Sequence, residues 1–156
     1  MSTLTRHRWP ALLVFALVVA LVAVTGGLAA SNAGAVYARL DLPAWAPPQW
    51  LFGPVWTVLY ALIAISGWLV WQTRGLDSSF TPYVVQLVLN ALWTPLFFGA
   101  GLYGAAFVDI VLLWVAIVVT IVMFLRRHRV AGWLLVPYLL WVTFAAALNL
   151  AIWTAN

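Results

Sequence analysis

The chain has 156 residues, of which 67% are hydrophobic, and its only charged side chains are seven arginines and three aspartates, giving a net charge of +4. Soluble domains carry about 25% charged residues, so the 6% found here excludes an ordinary water-soluble fold and favours a membrane protein. The absence of cysteine excludes disulfides, thiolate metal sites and a thiol nucleophile.

Five apolar runs follow one another along the chain, and we predict that each forms a membrane-spanning helix. Their bounds are about 9–30, 54–72, 81–98, 104–125 and 130–153. These lengths match the roughly 17 to 25 residues that a helix needs to cross a bilayer. Continuous apolar runs argue against a β-barrel, whose strands alternate in polarity. We therefore expect an all-α membrane protein, a five-helix bundle that forms one domain over residues 1–156.

The first run begins after Arg6 and Arg8, a pattern that also occurs in cleaved signal peptides. Its apolar core is longer than the roughly 7 to 15 residues of a signal sequence, so we expect it to be retained as helix 1. Small residues four apart recur along it, a spacing typical of helix–helix contacts between two copies of a chain. They are Ala16, Ala20, Ala23 and Gly27.

The longest connection, residues 31–53, joins helix 1 to helix 2 and is rich in proline and tryptophan. Prolines fix the backbone and lower the entropy of the unfolded loop, so we expect this loop to be ordered. An ordered loop at one mouth of a bundle can act as a lid. The residues of the predicted lid are Trp45, Pro47, Pro48 and Trp50.

Three helices carry stripes in which aromatic rings share a face with amides or small residues. On helix 2 the stripe consists of Trp56 and Tyr60, on helix 3 of Gln86, Asn90, Trp93 and Phe97, and on helix 5 of Trp141, Ala145, Leu148 and Asn149. An amide that faces acyl chains is costly, so these stripes should face inward. Together they predict a cavity for a flat apolar molecule, with ordinary bundle packing as the alternative.

Asp109, on helix 4, is the one acidic residue within an apolar run. Its role could be proton coupling or structural anchoring, and the sequence leaves both alternatives open. Arg39 lies at the same end of the bundle and is a candidate partner. His7 and His128 lack the companion spacing of a metal site, so we expect no metal. Nucleotide-binding loops and paired catalytic carboxylates are also missing from the sequence, which leaves hydrolysis and phosphoryl transfer without support.

Six of the seven arginines fall at one end of the predicted bundle, and only Arg39 falls at the other. The positive-inside rule therefore predicts a cytoplasmic N-terminus and an external C-terminus. Membrane orientation accounts for the basic balance, so no nucleic-acid partner is expected. Five tryptophans near helix ends suit an interfacial belt, whereas Trp114 stays unassigned. The belt residues are Trp9, Trp68, Trp71, Trp133 and Trp153.

The segment WAPPQWLFGPVWTVLY at 45–60 resembles the signature of the translocator protein family, also called TspO/MBR, tryptophan-rich sensory proteins or peripheral-type benzodiazepine receptors. QLVLNALWTPLFFG at 86–99, VDIVLL at 108–113 and VPYLLWVTFAAALNLAIW at 136–153 resemble further blocks of that family. The resemblance covers nearly the whole chain after helix 1. It implies a five-helix protein of the bacterial inner membrane, commonly a homodimer.

The resemblance also implies a function. Members bind porphyrins such as protoporphyrin IX and haem, together with sterol-like or synthetic aromatic ligands, in a pocket closed by the first loop. The implied role is transport or regulation of tetrapyrroles without a required cofactor; the alternatives are light-dependent oxidative breakdown of porphyrin and a structural role beside other membrane proteins. The positions that match family ligand contacts are Phe52, Gly53, Trp56, Asn90, Trp93, Trp141, Ala145 and Leu148.

The chain also departs from the family pattern. Ala105 stands where many members carry a tryptophan, which weakens the case for photochemistry. Leu150 and Thr154 replace the tyrosine and the basic residue of the cholesterol-recognition pattern, so tight cholesterol binding is not expected. Ala46 replaces a loop histidine of animal members, which implies a different affinity for synthetic ligands.

Overall fold

The computed structural model describes residues 8–156, and within them the predicted all-α membrane fold is confirmed. His7 and Arg6 lie outside the described residues. Seven α-helices are present in the described part of the chain. They are α1 (Arg8–Ala29), α2 (Ala33–Arg39), α3 (Phe52–Arg74), α4 (Phe80–Thr94), α5 (Tyr103–Arg127), α6 (Arg129–Leu134) and α7 (Val136–Ala155).

Five helical segments are long and apolar enough to cross a membrane. They are Arg8–Ala29, Gln49–Arg74, Phe80–Gly99, Tyr103–Arg127 and Arg129–Ala155. Each coincides with one predicted run apart from its ends, where helix bounds are least certain from a sequence. The five predicted spans are therefore all present, and the second extends back into the proline-rich loop.

That loop is ordered, as its prolines predict, but it contains two short helices that the sequence analysis missed. The first is α2, and the second is a 3-10 turn at Gln49–Leu51 that leads directly into α3. The hydroxyl of Tyr37 donates a hydrogen bond of 2.7 Å to the carbonyl of Pro47 and joins the two halves of the loop. Near the end of the chain, the Asn156 side chain accepts from the Asp41 amide and donates to the Asp41 carbonyl.

Proline interrupts two of the spans in different ways. After α4 the chain forms one turn of π-helix, Pro95–Gly99, in which the Ala100 amide reaches back five residues to the Pro95 carbonyl at 2.8 Å. Gly101 follows with φ +64°, a left-handed conformation that glycine adopts without strain. In the fifth span Pro137 has no amide hydrogen, and the helix breaks at Leu135 between α6 and α7. One span thus contains a widened turn and the other a break.

The spans pack in a fixed order: α1 lies against α3 and α4, α4 against α5, and α5 against α7. Aromatic rings of α3 and α7 contact each other. The ring centroids of Phe52 and Trp141 lie 5.9 Å apart, and those of Trp56 and Tyr138 lie 6.3 Å apart. We call the end of the bundle that carries residues 30–51 the loop end. The opposite end, which carries Arg8, Arg74, Arg126, Arg127 and Arg129, is the arginine end.

An ion pair closes the arginine end. The Arg127 Nε donates to Asp77 Oδ2 at 2.7 Å and so ties the connection between α3 and α4 to the last turn of α5. The pKa of Asp77 is lowered to about 2, mainly by a hydrogen bond from the Ser79 side chain and next by the hydrogen bond from the Arg127 guanidinium. His128 accepts a hydrogen bond from the Ala131 amide at 3.2 Å and caps α6, which gives it a structural role.

A large cavity and a closed site beside it

A cavity of about 400 Å³ lies at the loop end, among α1, α3 and α4. Its volume falls within the roughly 300 to 1,000 Å³ typical of small-molecule sites. Aromatic rings form one wall, and small residues of α1 form the opposite wall. The lining consists of Ala23, Gly26, Gly27, Ala30, Ala33, Gln49, Phe52, Gly53, Trp56, Thr57, Tyr60, Trp93, Thr94 and Phe98.

The wall on α1 leaves the space open because it has almost no side-chain volume. Ala23, Gly26, Gly27 and Ala30 recur at helical spacing, so all four face the same way. On the opposite wall the rings of Trp56 and Tyr60 stack with centroids 5.5 Å apart, as their four-residue spacing predicts. No charged residue is present among the described residues of the lining. Its side chains with polar groups are one amide (Gln49), three hydroxyls (Thr57, Tyr60 and Thr94) and two indoles (Trp56 and Trp93).

Beneath the cavity a chain of buried hydrogen bonds joins three spans. The Tyr60 hydroxyl donates to Asn90 Oδ1 at 3.0 Å, and the Asn90 Nδ2 donates to the Tyr138 hydroxyl at 2.7 Å. The Tyr138 hydroxyl in turn donates to Gln86 Oε1 at 2.8 Å. Gln86 and Asn90 are both buried, which confirms that these amides face inward. The side chain of Asn90 therefore holds the floor of the cavity together.

A second space lies beside the cavity, toward α7, and it is nearly closed. Its volume is about 10 Å³, room for about one water molecule at most. Phe52, Trp93 and Phe98 line both spaces and separate them. The residues around the small space are Tyr37, Phe52, Trp93, Phe97, Phe98, Ala145, Leu148, Asn149 and Ile152.

The predicted site residues are therefore divided between two places. Those that line the large cavity are Phe52, Gly53, Trp56, Tyr60 and Trp93. The small space is lined by Phe97, Ala145, Leu148 and Asn149, together with Phe52 and Trp93. Asn90 and Trp141 line neither space. The ring of Trp141 packs against Phe52 and Phe144, and its buried indole N–H has no hydrogen-bond partner among the described residues.

Asn149 is fully engaged with the protein. Its Oδ1 accepts from the Trp93 indole at 3.0 Å, and its Nδ2 donates to the Tyr103 carbonyl at 2.9 Å. Trp93 is fixed by this bond and by stacking on Phe97, with ring centroids 5.0 Å apart. The partition between the two spaces is consequently held from the α7 side.

The predicted lid covers the small space more than the large one. Trp45 packs against Phe144 of α7 with ring centroids 5.7 Å apart. Leu40, Leu42 and Ala46 join the apolar cluster around Phe97 and Ile152. Over the large cavity, residues 30–51 contribute only Ala30, Ala33 and Gln49 to the lining. Of the other predicted lid residues, the Pro47 carbonyl bonds Tyr37, Pro48 precedes the 3-10 turn, and Trp50 is 70% exposed.

The α1 wall was not predicted from the sequence. Ala23 and Gly27, whose spacing also suits a helix–helix contact, line the large cavity, whereas Ala16 and Ala20 are exposed on α1. The signal was present in the sequence as small residues at helical spacing. Thr94 and Phe98, which the π turn and the end of α4 bring to the cavity, were missed as well.

Asp109 does not pair with Arg39. The carboxyl group is buried, with 4% of the residue exposed, and neither oxygen has a hydrogen-bond partner among residues 8–156. Arg39 is exposed at the end of α2. The suggested pairing is therefore wrong, because α2 directs Arg39 toward solvent while Asp109 faces the core of the bundle.

Most of the chain matches known proteins of one family. Residues 14–154 match the model of the TspO/MBR family. The chain is 44% identical over 122 residues to the tryptophan-rich protein TspO of Archaeoglobus fulgidus, covering 77% of this chain and 79% of that protein. It is 40% identical over 125 residues to the human translocator protein, covering 77% and 74% of the two chains. The tryptophan-rich sensory protein of Cereibacter sphaeroides is 38% identical over 113 residues, or 72% of each chain.

Proposed function

The chain belongs to the TspO/MBR family of membrane proteins, and from that premise we propose that it binds porphyrins, such as protoporphyrin IX and haem, in the large cavity. The observation that carries this proposal is a cavity of about 400 Å³ with stacked aromatic rings on one wall and almost bare backbone on the other. Such a slot suits a flat macrocycle, which stacks on the rings and buries its apolar faces.

The uncharged lining supports a particular orientation of the ligand. A macrocycle carries its acidic groups on one edge, and these groups lose hydration if they are buried without a partner. The apolar edge would therefore lie deepest, near Tyr60 and Trp93, while the acidic edge stays at the loop end. Sterol-like and synthetic aromatic molecules of similar thickness would compete for the same space.

The physiological role that we propose is transport or regulation of tetrapyrroles in a bacterial inner membrane by a homodimer. The arginine end would face the cytoplasm and the loop end the outside, because five of the six described arginines lie at the arginine end. Ala16 and Ala20 offer a small exposed pair on α1 for the contact between two copies. No cofactor is required for this role.

Titration of the detergent-purified protein with protoporphyrin IX tests the proposal, with quenching of tryptophan fluorescence as the readout. We expect saturable quenching in the wild type. Gly26→Phe should weaken affinity by about tenfold or more, because the new ring projects into the cavity from the α1 wall. Gly99→Phe is the matched control, since Gly99 lies outside the lining with no atom near its added Cβ.

The proposal is contradicted if quenching does not saturate, or if Gly26→Phe binds as the wild type does while remaining folded. Light-dependent breakdown of the porphyrin is the enzymatic alternative, and Trp56 and Trp93 are the indoles that would contact the ligand. Illuminating the same samples in the presence of oxygen distinguishes this alternative from simple binding. Loss of the Soret band that disappears in Trp56→Phe plus Trp93→Phe protein would favour the enzyme over the carrier.

A further inference from the structure

The large cavity has an opening, and the exposure of its lining residues locates it. Most of the lining is buried or half-buried, but four lining residues are exposed. These are Gly27, Gln49, Gly53 and Thr57. Gly27 belongs to the last turn of α1. Gln49 begins the 3-10 turn, and Gly53 and Thr57 lie in the first two turns of α3. The opening therefore lies between α1 and α3.

Two glycines keep this opening wide. A Cβ added at Gly27 or Gly53 would meet no atom within 4 Å. By contrast, a Cβ at Gly67 would lie only 2.6 Å from the Tyr83 hydroxyl, because α1, α3 and α4 pack tightly lower in the bundle. The same two helices that are in close contact toward the arginine end are thus separated by free space at Gly27 and Gly53.

The opening faces sideways. From Gln49 to Thr57 it runs along about 12 Å of helix, at roughly 1.5 Å per residue, and so reaches below the loop into the spanning part of α3. The exposed side chains that flank it are apolar: Val24 and Leu28 on α1 are 56% and 73% exposed, and Val58 on α3 is 60% exposed. In a bilayer such side chains contact acyl chains, so the opening between them faces hydrocarbon.

The loop at the top of the bundle is held in place on the side of the small space. Residues 40–46 pack on the ends of α4, α5 and α7, the Tyr37 hydroxyl holds Pro47, and Asn156 holds Asp41 by two hydrogen bonds. Moving the loop aside to admit a ligand from the water phase would break these contacts. A ligand dissolved in the membrane would meet no such barrier at the side.

We propose that the gap between α1 and α3, bounded by Gly27, Gln49, Gly53 and Thr57, is a lateral portal through which flat apolar molecules pass between the membrane leaflet at the loop end and the large cavity. Identifying the molecule as a porphyrin rests on the proposed function, but the portal itself does not. An uncharged portal flanked by valine and leucine favours molecules that partition into the membrane over those that stay in water, so membrane solubility becomes part of the selectivity.

Ligand kinetics test the portal directly. Gly27→Leu places a side chain in the gap, and it should slow both association and dissociation of protoporphyrin IX by about tenfold, so that affinity changes less than either rate. Gly99→Leu is the matched control and should leave both rates unchanged. Unchanged rates in Gly27→Leu would overturn the portal, and so would faster dissociation, which would mean that the leucine fills the site.

A second measurement needs no porphyrin and separates failure of the portal from failure of the proposed function. Because the chain has no cysteine, Thr94→Cys provides a single thiol on α4, in the lining of the large cavity, for a bimane fluorophore. In vesicles of brominated phosphatidylcholine we expect stronger quenching than in dioleoyl phosphatidylcholine, and Gly27→Leu should reduce it while Gly99→Leu does not. Quenching that is absent, or equal in both variants, would overturn the portal.

Discussion

The two sides of the loop end contain the same kinds of residue and yet differ in packing. Toward α7, the Asn149 amide bonds the Trp93 indole and a backbone carbonyl, and the space left beside Ala145 is about 10 Å³. Toward α1, the rings of Trp56 and Tyr60 face alanine and glycine across about 400 Å³. The difference teaches that rings and amides alone do not make a cavity in a bundle. The cavity forms where the facing helix lacks side chains to fill it.

The largest test of this contrast places the same ring on each side. Ala145→Phe should lower the free energy of unfolding by about 3 kcal/mol, because a phenyl group does not fit the closed space and must displace Phe52 or Trp93. Gly53→Phe should leave stability near the wild-type value, since its Cβ meets open space. Unfolding of both variants in mixed micelles by a denaturing detergent measures this difference. Equal stabilities would mean that the small space opens as readily as the large one.

A smaller test uses two helical glycines with one substitution. Gly67→Ala should destabilise by about 1 to 2 kcal/mol, because its methyl group would lie 2.9 Å or less from Tyr83 and Phe15. Gly27→Ala should be neutral or stabilising by roughly 0.5 to 1 kcal/mol, since alanine restricts the unfolded chain and meets nothing in the folded one. The same unfolding assay compares them. A destabilised Gly27→Ala would place a neighbour at the mouth of the cavity and remove the contrast.

The smallest expected effect is a pH dependence of stability at the arginine end, away from both spaces. The folded pKa of Asp77 is about 2, below its ordinary value of 3.8, so its stabilisation is complete above the ordinary value and is lost as the pH falls through the folded value. The thermal midpoint should therefore drop between about pH 4 and pH 2. Subtracting the profile of Asp77→Asn cancels the other aspartates. A difference that stays constant over this range would show that Asp77 gains nothing from Ser79 and Arg127.

Much of the fold could be predicted because it depends on local and one-dimensional signals. Run length gave five spans, the cost of an exposed amide predicted the burial of Gln86 and Asn90, and the four-residue spacing predicted the stacking of Trp56 on Tyr60. The prolines predicted an ordered loop. They did not predict the π turn at Pro95–Gly99, because the bond that marks it runs from the Ala100 amide to the Pro95 carbonyl and does not involve the amide hydrogen that proline lacks.

The position of the cavity could not be predicted, and α1 explains why. This helix is apolar on every side, and Val19 is its one buried residue, so periodicity cannot indicate which face turns toward the bundle. Small residues at Ala23 and Gly27 fit a contact with a second copy as well as a cavity wall. Free volume is set by the distance between helices that are far apart in sequence. The residue pattern of a single helix gives no information about that distance.

The composition of the large cavity limits what it can do to a bound haem. Iron in proteins takes its axial ligands mainly from histidine, cysteine, methionine or tyrosine, and these ligands set its reduction potential. Among the described lining residues only Tyr60 is of such a type, and its hydroxyl is already committed to Asn90. Haem held there would receive no free axial ligand from the described lining, and metal-free macrocycles would be accommodated as readily.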